Sequence, residues 1–444
     1  MVRANRGAEL PLWPLYAMFG LMPLWWVLGG LQLFWPFLGL LLAVVLVSRG
    51  RIGLPAGSAL WLVFLAIVVV SLTRMDRASG VFMFSLRLGL LATALVVYLY
   101  VYNAARDGAR WRRLFGPLCL YWLGMVALGW IGVFKPTFAI TTPVELLLPD
   151  GVAGNRGIRA LVHSHATEYN ALGRNPYYRT AAPYPYTNNW GTGFAVLVPC
   201  MIAYLGSVRT GALRAAVLVS LPLALVPAFF TLNRGMFIGL GAGLVYLGLR
   251  ALLRGDVRLI ASIAGVAVLA WVATLVIPVG ELISNRVENT DSTGDRADLY
   301  AQTVQAVLRS PLLGYGGPRL ADTTHGAEPL GTQGQFWLLM YSYGVPAMLI
   351  FILLFVIIAW RLAAAVSPPG KWLSVVPVVA LVITPFYGYT DINLSLMYFG
   401  IALAMAAVDG PVNREPVRSA PVAGAAASVG AAGAVVPLAV RLEA

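Results

Sequence analysis

The feature that most limits what this chain can fold into is its series of long apolar runs. About twelve stretches of bilayer-crossing length recur, at approximately 10–29, 31–48, 57–73, 82–102, 114–133, 190–206, 211–230, 235–252, 258–277, 335–359, 373–388 and 391–408. The first pair is a single run broken at Gly29–Gly30, and the last pair is separated by little more than Tyr389–Thr390. In lipid such runs satisfy their backbone polar groups only as helices, so the expected fold is an all-α polytopic membrane protein with about twelve transmembrane helices. Composition closes the other routes. Charged residues are 11% of the chain, against about 25% in a soluble domain, and 59% hydrophobic content excludes intrinsic disorder. The first run follows a short basic stretch without a small-residue cleavage site, so it is expected to stay as an anchor. Cys119 and Cys200 lie inside apolar runs and form neither a disulfide framework nor a metal site.

The charge then orients the spans. Lys and Arg number 31 against 18 Asp and Glu, a net +13. In a soluble protein that excess would suggest nucleic acid. Here the cations fall in alternate connections: Arg3 and Arg6; Arg49 and Arg51; Arg106, Arg110, Arg112 and Arg113; Arg209 and Arg214; Arg250, Arg254 and Arg258; Arg361 and Lys371. The opposite short connections hold Arg74 and Arg77, then Arg234. The positive-inside rule therefore puts both termini in the cytoplasm, and no nucleic-acid partner is expected. Two long segments, 134–189 and 278–334, fall on the other side and are rich in Tyr, Trp, Pro, Gly, Asn and Arg. Loops of that length in a compact protein are usually functional, so they are expected to form an ordered extracytoplasmic cap with short helices. From 410 to 444 the chain turns to Pro and then to Ala, Gly and Val; it reads as a disordered cytoplasmic tail, leaving 1–409 as the functional domain. The alternative for the tail is a marginal span within 422–440, interrupted by Pro437.

Within the second long segment, turn-forming residues Glu288 to Arg296 precede Leu299/Tyr300, Thr303/Val304 and Val307/Leu308 at helical spacing. A short amphipathic helix is predicted, with Asp295 and Asp298 in its first turn, where the helix dipole favours them. It ends at Ser310–Pro311, and Gly314–Tyr315–Gly316–Gly317–Pro318 follows as a tight turn. Without a preceding strand, that glycine run is not a dinucleotide fingerprint.

These strings resemble the superfamily of O-antigen ligases, O-antigen polymerases and pilin-type oligosaccharyltransferases. Arg234 in Leu232–Asn233–Arg234–Gly235 is similar to the arginine that O-antigen ligases carry at the outer end of a helix. Thr293–Gly294–Asp295–Arg296, the helix, and Ser310–Pro311–Leu312–Leu313–Gly314–Tyr315–Gly316 resemble its "G-R … P-L-L-G-x-G" stretch, which leads on to Tyr343–Gly344–Val345–Pro346. The ligases place a histidine eleven residues before the first glycine of a G-x-x-G. Here that position is Gln333, and Ala347 stands where the second glycine would be. Glutamine hydrogen-bonds but cannot act as a base, which leaves His325, His163 or His165 as alternatives.

The resemblance implies an extracytoplasmic glycan ligase or polymerase of a bacterial inner membrane. It would move a saccharide from a polyprenyl diphosphate donor to an acceptor glycan or glycolipid hydroxyl, with no nucleotide, cofactor or obligatory metal. The chemistry needs guanidinium groups on the leaving diphosphate and something to orient or deprotonate the acceptor. Arg234, Arg296 and Arg87 are the diphosphate-binding candidates, with Arg156, Arg159, Arg174 and Arg179 as further loop cations; His325 and Gln333 are the candidates at the reacting hydroxyl. Arg87 lies several residues inside a span, where a charge needs a cavity or a partner. Tyr184, Tyr186, Asn188, Asn189 and Trp190 suit glycan contact by ring stacking and hydrogen bonding, with an interfacial aromatic belt as the rival reading. His163 and His165, two apart, do not define a metal site without a third ligand, and Asp391 reads as a helix cap. The alternative of another class is a lipid-linked glycan flippase or other transporter. Against it stand the absence of a clear internal repeat and the few charges inside the spans.

Overall fold

The computed structural model describes residues 9–76, 80–149, 156–170, 177–276, 292–319 and 329–410. Among these, seven helices are long and apolar enough to cross a membrane: Val81–Arg106, Trp111–Phe134, Thr187–Ser207, Ala212–Phe230, Arg234–Leu253, Val345–Leu362 and Ile392–Asp409. Four shorter apolar helices accompany them: Trp35–Ser48, Ser58–Arg74, Val257–Val268 and Pro368–Ile383. The apolar runs thus reappear as helices, but several are broken. The first is divided into Trp13–Leu15, a π-helical stretch Tyr16–Gly20 and Met22–Leu28, and stops at Gly29 in the left-handed region (φ 77°). The run expected at 335–359 splits at Gly344 into Gln335–Tyr343 and Val345–Leu362. The run at 373–388 ends at Ile383, just before Pro385. Residues Met1–Pro411 form one contact unit; the tail expected at 410–444 lies, beyond Gly410, outside the described residues.

Burial orders the bundle. In Ile392–Asp409, 83% of the apolar window is buried, against 33% in Arg234–Leu253, so the former is central and the latter faces outward. Around the central helix, Trp35 Nε1 donates to Ser395 Oγ (3.0 Å), and the rings of Trp61 and Tyr98 stand 5.1 and 5.2 Å from Tyr398. At the end away from the long segments, cations tie connections together: Arg361 with Asp409 (2.7 Å), Arg49 with Asp107, and Lys371 with Asp256. The Lys371 hydrogen bond holds the Asp256 carboxyl below its usual range.

The long segments cover the other end and hold short helices, as expected, with two strand pairs besides. Helices Pro143–Leu147 and Arg156–Val162 are joined by two antiparallel ribbons. Ala139–Ile140 pairs with Ser164–His165, and Thr167–Asn170 pairs with Tyr177–Thr180, Thr167 opposite Thr180. Alternating Thr and Tyr favour strands, and Tyr169 meets Tyr178 across the second ribbon (4.9 Å). The amphipathic helix of the second segment runs Ser292–Arg309. It buries Leu299, Thr303 and Val307 at helical spacing and leaves Leu308 exposed. Tyr300 on its flank stacks on Trp337 at 4.4 Å.

Candidate functional site

Arg234 opens a helix because Asn233 caps it: Asn233 Oδ1 accepts from Met236 N (3.0 Å). The cap is reached through Leu232, whose φ of 50° is unusual for a branched residue. Asn233 Nδ2 donates to Asn188 O (3.3 Å), which ties this turn to the mouth of the Thr187–Ser207 helix. Arg234 itself is exposed. Arg179 reaches the same turn from the second ribbon. It is only 8% exposed, its Nε donates to Thr231 O (2.8 Å), and its Nη2 has no hydrogen-bond partner among the described residues. Burying a guanidinium without a counter-charge costs several kcal/mol, so this geometry favours an anion beside it.

A second group of contacts joins the Gln335 segment to the turn that carries Arg234. Tyr387 accepts from Gly235 N through its hydroxyl (3.1 Å) and from Gln335 N through its carbonyl (2.9 Å). Gln335, which sequence reasoning did not single out, is fully buried. Its Oε1 accepts from Tyr389 N (2.9 Å) and Thr390 N (3.1 Å), and its Nε2 donates to Thr390 Oγ1 (2.6 Å). That loop then delivers Asp391, which caps its helix as expected (Asn393 N to Oδ1, 2.8 Å) and also accepts from Asn189 Nδ2 (2.6 Å). Gln333 Nε2 lies 3.3 Å from Pro329 O, while its Oε1 is buried with no partner among the described residues. The four segments that carry Asn188 and Asn189, Arg234, Gln333 and Asp391 therefore meet, although they are far apart in sequence.

Arg87 lies elsewhere, against the glycine turn. A Cβ built on Gly317 would stand 3.5 Å from Arg87 Nη1. Among the described residues Arg87 makes no ion pair, and the nearby Tyr343 hydroxyl is buried without a partner. The turn is held by Tyr315 N to Tyr341 O (3.1 Å) and Gly316 N to Ser342 O (2.8 Å), with Gly314 and Gly316 at positive φ. Arg319 secures its far side, over the Tyr315 ring (4.3 Å) and paired with Asp76 (2.5 Å).

The five glycan candidates separate. Tyr186 is 51% exposed and Asn188 is half-buried. Asn189 is committed to Asp391. Tyr184 and Trp190 are interior: Tyr121 donates to the Tyr184 hydroxyl (2.9 Å), and Trp190 stacks on Phe194 at 5.5 Å. An aromatic-rich run at a helix mouth looks alike in sequence whether its rings face in or out. His325 and Arg174 lie outside the described residues, as do the side chains of Arg156 and Arg296.

A family model described as O-antigen ligase matches residues 217–352, less than half the chain but including Arg234, the Ser292–Arg309 helix, the glycine turn and Gln333. No curated protein matches the chain. Residues 217–352 of this multi-pass membrane protein are similar to the O-antigen ligase family, a match that supports the resemblance to the O-antigen ligase and polymerase superfamily.

Proposed function

We propose that this membrane glycosyltransferase takes its saccharide from a polyprenyl diphosphate donor and passes it to an acceptor glycan or glycolipid hydroxyl on the extracytoplasmic face of a bacterial plasma membrane. Residues 1–409 carry the activity, the 410–444 tail and both termini are cytoplasmic, and ligase and polymerase differ only in the acceptor. The observation that carries this reading is the buried Arg179, with Nη2 unpartnered, beside the capped turn that presents Arg234. Two fork-shaped cations and a helix N-terminus suit a diphosphate leaving group, whose charge grows as the bond to the sugar breaks. Arg296, and Arg87 at the separate glycine turn, are the further cations proposed for the diphosphate; Gln333, Asn188 and Tyr186 are the polar and aromatic contacts to the glycan.

The test is reconstitution of the purified chain with a polyprenyl-diphosphate oligosaccharide and candidate acceptors. Acceptor-dependent release of polyprenyl diphosphate is expected, and Arg234→Ala with Arg179→Gln should lower it at least about 100-fold. Release unaffected by that pair would remove the site. Glycan crossing sealed vesicles with its linkage unchanged would mark a flippase instead.

A further inference from the structure

Gln333 cannot accept a proton from a hydroxyl at neutral pH, so the transfer calls for a basic group elsewhere. His163, in the first long segment, is held as such a group. Its Nδ1 lies 2.8 Å from Glu145 Oε2, and the two side chains are only 25% and 14% exposed. Thr142 clamps the pair together: its Oγ1 accepts from Glu145 N (3.2 Å) and donates to Val162 O (2.7 Å), the residue before His163. With Nδ1 committed to the carboxylate, Nε2 is the remaining ring nitrogen, and it has no hydrogen bond among the described residues. A cavity of about 20 Å³ is lined by His163 with Trp26, Gln32, Ser164, His165 and Tyr184. That volume takes one water-sized group, the size of a single sugar hydroxyl rather than a ring.

Short stretches of chain link the cavity to both groups of site residues. Gln32 leads into the helix whose Pro36 would stand 2.9 Å from a Cβ on Gly89, two residues from Arg87. On the other side His165 Nε2 lies 3.1 Å from Pro185 O, four residues before Asn189. The charged and titratable groups facing His163 are Glu145, Arg159 (Nε 3.8 Å from Glu145 Oε1), His165 and the Tyr184 phenol.

We propose that His163 is the base that takes the proton of the acceptor hydroxyl, an inference that rests on the transferase reading above. The hydroxyl oxygen bonds to the anomeric carbon while the bond from that carbon to the diphosphate breaks, its electron pair leaving with the diphosphate. The proton passes to His163 Nε2 and then to water. Glu145 is a positioning residue: it fixes the tautomer that bares Nε2 and stabilises the imidazolium once formed.

The full chain in vesicles, supplied with polyprenyl-diphosphate oligosaccharide and acceptor, tests this. His163→Gln should lower linkage formation at least about 100-fold, with donor binding intact and the acid limb of the rate–pH profile gone. Glu145→Gln should lower kcat with KM unchanged and move that limb. Should His163→Gln fold poorly, His163→Ala in the presence of imidazole replaces it, and rescue by imidazole is expected. Linkage formation within threefold of wild type in His163→Gln, or no rescue of a well-folded His163→Ala, overturns the base. Wild-type protein that forms no linkage overturns the transferase reading with it, so the two failures are distinct.

Discussion

At the residue scale, the turn before Arg234 depends on one amide side chain with two tasks. Asn233 Oδ1 satisfies Met236 N at the helix start, while Nδ2 reaches across to Asn188 O. Asn233→Ala removes both and should cost about 1–2 kcal/mol, seen as a lower unfolding temperature in detergent. Asn233→Asp keeps the cap acceptor but loses the Nδ2 bond to Asn188 O and buries a carboxylate, so it too should unfold at a lower temperature, and it sets that carboxylate where the donor's phosphates would lie. A donor KM raised above that of Asn233→Ala is expected; equal KM values in the two variants would move the diphosphate away from this turn. Arg234 was legible in the sequence because a lone cation between two apolar runs needs no structure to be noticed. Arg179 was not. Its burial is created by Thr231, 52 positions away, and its neighbourhood in sequence reads as a solvated loop. Glu145 was hidden in the same way, and His163 stood only as one of three alternative bases, since the clamp that joins them closes over 18 positions.

At the scale of elements, positions and types of helix were readable from apolar periodicity, whereas their interruptions were set by contacts. Gly344 shows why. Its φ of 89° and ψ of 168° belong to a region that only glycine enters readily, and a Cβ there would overlap the carbonyl of Leu312. Val345 N meanwhile donates to Pro311 O (2.8 Å), so the break in the helix is the docking point of the proline–glycine motif that precedes it. The ribbons were missed for a related reason: strands of two to four residues leave too short a pattern to separate from loop. Gly344→Ala should therefore destabilise the protein by more than about 2 kcal/mol and loosen the 311–317 turn against Arg87. Gly248, in the outward-facing helix with open space around it, is the control. Gly248→Ala should leave stability unchanged or raise it by up to about 1 kcal/mol, as removing a helix glycine does. Equal losses for the two alanines, measured by thermal unfolding, would refute the docking argument.

For the whole molecule, the +13 net charge has two separable meanings. Cations in the connections at 49–51, 106–113, 250–258 and 361–371 form ion pairs, bond hydroxyl or carbonyl oxygens, or meet water, the pattern expected of a cytoplasmic face. Arg87, Arg179 and Arg234 lie toward the opposite end, and none of them has a carboxylate partner among the described residues. If the long segments face the extracytoplasmic side, that contrast follows: one face uses cations for orientation, the other holds them for an anionic substrate. The native cysteines assist the test, since Cys119 and Cys200 are both buried and should react slowly. Leu147→Cys, at an 84% exposed position in the first long segment, should be labelled by a membrane-impermeant maleimide on intact spheroplasts. Thr210→Cys, exposed in the 208–211 connection, should be labelled only after the membrane is opened. The reverse pattern would put the Arg179–Arg234 turn in the cytoplasm. A carrier-linked glycan displayed on the outer face could not then reach it, and the positive-inside reading and the proposed donor would fall together.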